Sequence, residues 1–169
     1  MKKPSPDQFR IAITSAIAAF YPELQWHADE NAPNSWKALK PFKSALYGLG
    51  SLPVYNGASE KTIFIDSYIN VLFRAWHDAI HLEKGFSFQP EDEIKTAFEH
   101  VRQLMSIGVD QTVYEWLFVD IIGQVYFYKH KNQFVENQIA FTEQCFKCFK
   151  RNNGDLLALE SFISELEGF

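Results

Sequence analysis

The chain has 169 residues, a formal charge of −5 and 16 phenylalanines. That length suits one domain, 1–169, with a core needing no disulfide or metal staple, and the acidic balance argues against a protein that grips nucleic acid through a basic surface. No run of about 18 apolar residues exists, and the opening Met1-Lys2-Lys3-Pro4-Ser5-Pro6 lacks the apolar stretch of a signal peptide; no membrane association and a cytoplasmic location are expected.

The predicted elements follow one another as helices. Ser5 caps a first helix with Pro6 in its opening turn and Phe9, Ile13, Ala16, Ile17 and Phe20 at helical spacing; Tyr21-Pro22 ends it. From Gln25 to about Ser59, Pro33, Pro41, Pro53, Gly48, Gly50 and Gly57 break the pattern, leaving a short helix near Trp36 to Tyr47 and short extended pieces at 52–56 and 61–65. A long helix runs from about Ile63 to Lys84 and stops at Gly85. Pro90-Glu91-Asp92-Glu93 opens the next, which continues to about Ile107. Asp110 caps a strongly apolar helix, another spans about Phe134 to Lys150, and Asp155 opens a last one ending near Glu167. The expected architecture is an all-α bundle of about five to six helices with an irregular segment near residues 25–60.

Inside this apolar framework the third long stretch carries Asn70, Arg74, His77 and His81, which share one helical face. Ionisable groups set beside Ile69, Phe73, Trp76 and Ile80 need partners. His77 and His81, four apart, bring two imidazoles together; Glu93 and His100, seven apart, share a face of the next helix; Asp120 and Gln124 interrupt the apolar run of the one after. Carboxylates and imidazoles on facing helices are how bundle cores build metal sites. A metal-free network is the structural alternative, with Arg74 paired to Asp66, Asp78 or Glu93 and the histidines donating to backbone or carboxylate. Cys145 and Cys148 read as reduced thiols on a helix, since no strand and turn precede them and no second pair exists for a redox or zinc motif. His27 and His130 read as solvent-facing. Gly123 reads as a place of close helix approach.

Arg74-Ala75-Trp76-His77-Asp78, His81, Phe86, Phe88, Glu93, His100, Gly123-Gln124 and Gln138 resemble an uncharacterised all-helical domain encoded by phages and mobile elements. The resemblance covers roughly residues 66–140. It implies a phage-related helical protein, acting in the host cytoplasm, with a candidate metal or active site and no established activity. Two positions depart from the family pattern: its second His is spaced five from the first where His81 is four from His77, and it has Glu where this chain has Asp120. His77-Asp78 is also similar, more distantly, to the metal-binding dipeptide of the HD phosphohydrolases.

The function expected from the residues is a metal-dependent hydrolase acting on a small-molecule or phosphoester substrate. His77, His81 and His100 or Glu93 would bind a divalent ion (zinc, manganese or iron), Asp78 or Asp120 would serve as general base or as an orienting group, and Arg74 would neutralise an anionic substrate. An iron-dependent oxidase would use similar ligands, although the usual E-x-x-H spacing is absent. The alternative from a different class is a phage-encoded binding protein that docks on a host protein through segment 25–60, with the polar cluster structural. A homodimer is compatible with so apolar a helical chain.

Overall fold

In the computed structural model, residues 2–57 and 61–166 are described. Seven α-helices occur among them: α1 (Pro6–Phe20), α2 (Trp36–Leu39), α3 (Ser67–Lys84), α4 (Pro90–Ser106), α5 (Gln111–Lys131), α6 (Gln138–Arg151) and α7 (Leu156–Glu165). The all-α class holds, with more helices than the expected five to six because the short helix near Trp36 is a separate element. It continues as a 3-10 turn over Lys40–Tyr47, where Pro41 has no N–H to donate into an α-helical ladder. The expected end of the last helix near Glu167 falls outside the described residues.

Local chemistry sets most boundaries. Ser5 and Gln8 form a reciprocal capping box at α1, Asp66 caps α3 by accepting from the N–H groups of Tyr68 and Ile69, and Asp110 and Asp155 cap α5 and α7. Gly85 ends α3 in the left-handed region at φ 72°, where a side chain would be strained. One departure from the sequence reading concerns the extended pieces. Trp26–Asp29 (β1) and Leu52–Tyr55 (β2) pair in parallel, Trp26 opposite Leu52 and Asp29 opposite Tyr55, whereas 61–65 forms turns. Parallel pairing joins residues from opposite ends of the irregular segment, which no local pattern reveals.

The buried side chains form one continuous cluster from Phe9 on α1 to Ile163 on α7, with Trp76, Phe64, Phe127 and Phe141 among its largest members. α5 packs against α4, α6 and α7, and α3 lies between α1, the 3-10 turn and α4. Gly123 faces α6: a Cβ there would stand 3.0 Å from Phe141 Cε1 and 3.5 Å from Cys145 Sγ. The expected close approach is thus between α5 and α6. No helix among the described residues is long and apolar enough to cross a membrane.

Candidate metal centre

The centre forms where the second half of α3 faces the first turns of α4. His77 and His81 are one helical turn apart on α3. Glu93 enters from α4, whose start is shaped by Pro90 and by Ser87, whose N–H and Oγ both donate to Asp92. The acidic first turn of α4 also suits the positive end of its helix dipole.

Three atoms converge. His77 Nε2 is 3.0 Å from His81 Nε2 and 3.1 Å from Glu93 Oε2, and His81 Nε2 is 3.5 Å from the same oxygen. Donors that share one divalent ion at about 2.0–2.2 Å stand roughly 2.9–3.5 Å from each other, so His77, His81 and Glu93 have the spacing and chemistry to hold a metal ion. The tautomer of His81 follows from its surroundings. Its Nδ1 lies 3.1 Å from the carbonyl oxygen of Phe86, which only accepts, so Nδ1 donates and, in the neutral ring, Nε2 is left to present its lone pair to the cluster. Two imidazole nitrogens and a carboxylate oxygen this close need a cation among them, either a proton or a metal ion.

Electrostatics agree with that need. Burial pulls the His77 imidazole down, but the charge of Glu93 and its hydrogen bond outweigh it and the net shift is upward. Burial likewise raises Glu93, and His77 and His81 overcome it and bring the carboxyl down to about 2. His81 is fully buried, while His77 and Glu93 each keep about a fifth of their side-chain surface exposed, so the cluster is reached from solvent on one side. Phe88 packs edge-on against His81, and Phe73 lies beside His77.

The other expected residues are distributed around and away from this group. Asp78 is half-buried next to it; burial raises its carboxyl to about 6, with Glu93 adding to the rise and His77, His81 and Arg74 opposing it. Arg74 Nη1 donates to the carbonyls of Tyr55 at 2.8 Å and Gly57 at 2.6 Å, and its guanidinium lies over the Tyr55 ring. It therefore ties the end of β2 to α3, while Asp66, one of its expected partners, caps α3. His100 is fully buried behind His77, with Nε2 3.1 Å from His77 Nδ1, on the opposite edge of that ring from Glu93. It is not among the three converging donors. Asp120 is turned the other way, accepting from Thr142 at 2.6 Å and from Gln124 at 2.8 Å. Its expected convergence on the histidines fails because its face of α5 packs on α6. A participant that sequence reasoning passed over is the Phe86 carbonyl; the left-handed stop at Gly85 is the signal that the chain doubles back over His81.

Elsewhere, His27 and His130 are exposed, bonded to Ser51 and Glu160 respectively, and Cys145 and Cys148 are free thiols. No protein-family model, curated protein or solved structure matches the chain.

Proposed function

We propose that the protein is a metal-dependent hydrolase of an anionic, phosphoester-type substrate, centred on His77, His81 and Glu93. The observation that carries this reading is the convergence of His77 Nε2, His81 Nε2 and Glu93 Oε2 within 3.0–3.5 Å, with His81 Nδ1 already committed to the Phe86 carbonyl. A divalent ion held by this set would supply Lewis acidity and acidify a water.

The chain's own residues would carry the remaining work. Asp78, beside the donor set and with its carboxyl raised to about 6, takes a proton from the attacking water as the new oxygen–phosphorus bond forms. The bond to the leaving oxygen breaks, and the same carboxyl returns the proton there. Arg74, whose positive charge is felt at both His77 and Asp78, favours an anionic substrate. Two imidazoles with one carboxylate suit zinc in hydrolytic sites and also iron in oxidative ones, and the metal found would distinguish the two chemistries.

The test is elemental analysis of untagged protein, purified without chelator and after reconstitution, beside a His77→Ala/His81→Ala variant. Near-stoichiometric zinc or manganese that disappears in the variant, together with phosphoesterase activity lost in parallel, is expected. Protein that is folded and metal-free under every condition would overturn the reading. In that event exposed Tyr47, Leu49 and Tyr55, all within the irregular segment, favour the binding-protein alternative.

A further inference from the structure

We propose that His100 is a positioning residue of the centre, accepting the Nδ1–H of His77 and so turning the Nε2 of His77 toward Glu93 and His81. This rests on the reading of those three residues as a metal centre. The ring planes of His77 and His100 are within 16° of each other, with centroids 5.3 Å apart and a nitrogen–nitrogen distance of 3.1 Å. That combination describes two imidazoles joined edge to edge in nearly one plane, the direction in which an imidazole N–H and lone pair point.

Only one polarity of this bond serves a ligand. If His100 Nε2 carried the proton, a neutral His77 would accept at Nδ1, hold its own proton on Nε2 and have no lone pair for an ion. With the proton on His77 Nδ1, Nε2 is free, and His100 must keep its single proton on its own Nδ1. That atom is buried and has no hydrogen-bond partner. Leaving a buried donor unpaired is costly.

The surrounding network makes the omission specific. Trp76 Nε1 donates to Gln103 Oε1 at 2.8 Å, and Gln103 Nε2 donates to Tyr21 at 3.1 Å and Glu99 at 3.2 Å. The polar groups next to His100 are thus matched while its own Nδ1 is not. The ring is held in place by Phe73 at 5.3 Å and by Trp76, edge to face at 4.0 Å. An apolar side chain would fill this space without an unpaired donor, so the imidazole is accounted for by the bond on its other edge.

Two variants separate this role from packing. His100→Phe keeps a planar ring against Phe73 and Trp76 but cannot accept, and His100→Gln places an amide oxygen near the former Nε2. Zinc binding is measured for each by competition with a chromophoric chelator, beside wild type, with thermal midpoints recorded. His100→Phe should bind zinc about 10–100-fold more weakly, and His100→Gln should return to within a few-fold of wild type. Zinc bound by His100→Phe as tightly as by wild type would overturn the proposal and leave the metal centre standing, as would equal weakening in both variants.

Nitrogen-15 NMR of the zinc-loaded wild-type protein supplies an independent reading. It should show His100 protonated on Nδ1 and unprotonated on Nε2. This readout decides if the Phe variant does not fold, and a wild type that binds no zinc removes the metal centre and the positioning role with it. A proton on His100 Nε2 in the zinc-loaded protein would overturn the positioning role.

Discussion

Thr142 Oγ1 donates to Asp120 Oδ1 at 2.6 Å across the α5–α6 interface, and Gln124 donates to the other carboxylate oxygen, so a nearly inaccessible carboxyl group is held wholly by two neutral partners. Burial raises its pKa to about 7, and the two hydrogen bonds together with the more distant Lys3 offset this only in part. The unfolded chain ionises an Asp near pH 3.9. Between about pH 4 and 7 the folded state holds more protons than the unfolded one, so stability falls as pH rises through that window and levels off above it. Asp120→Asn should remove this slope. Each tenfold change in proton affinity corresponds to about 1.4 kcal/mol, so the variant should gain on the order of 4 kcal/mol relative to wild type by pH 8. Urea denaturation of both proteins at pH 4, 6 and 8 measures it; a constant difference across the three would show that Asp120 titrates alike folded and unfolded.

Glu93→Gln tests the charge balance of the centre in metal-free protein. The depressed Glu93 carboxyl contributes stability that is present above its unfolded value and lost as pH falls toward 2, whereas the raised His77 contributes stability that is present below its unfolded value and lost as pH rises through the folded one. The pair therefore stabilises most between about pH 4.5 and 6.5. In that window the variant should lose on the order of 2 kcal/mol, and less at pH 9. Chemical denaturation at pH 5.5 and 9 distinguishes this from a pH-independent packing loss.

Gly123→Ala sets helix propensity against space. Alanine gains about 1 kcal/mol in a helix interior, but the new methyl would stand 3.0 Å from Phe141 Cε1, and Phe141 is itself fully buried and packed edge-on against Phe127. The ring has little room to yield, so a net loss of about 1–2 kcal/mol is expected. Thermal unfolding reads the outcome, and a raised midpoint would mean that α6 shifts freely.

Ile65 occupies the left-handed region at φ 66° although it is β-branched, and its side chain is largely exposed. Such a conformation costs about 1–2 kcal/mol with little burial to offset it. Asparagine, which tolerates this region, should stabilise the protein by about 1 kcal/mol. An unchanged or lowered midpoint for Ile65→Asn would show that the isoleucine serves a contact the strain supports.

The capping residues Ser5, Asp66, Asp110 and Asp155, the stop at Gly85 and the apolar periodicity determine where the helices lie, because caps and 3.6-residue repeats act within a few residues of chain. The same periodicity puts His77 with His81 on one face and Glu93 with His100 on another. Periodicity assigns residues to a face and does not say what the face meets. Tertiary packing decided that Glu93 reaches both Nε2 atoms while His100, two turns further along α4, reaches only the far edge of His77. It also decided that Asp120 faces Thr142 on α6, and that β1 pairs with β2. These outcomes depend on how helices cross and on contacts between distant segments, which follow from the burial of the whole apolar surface at once.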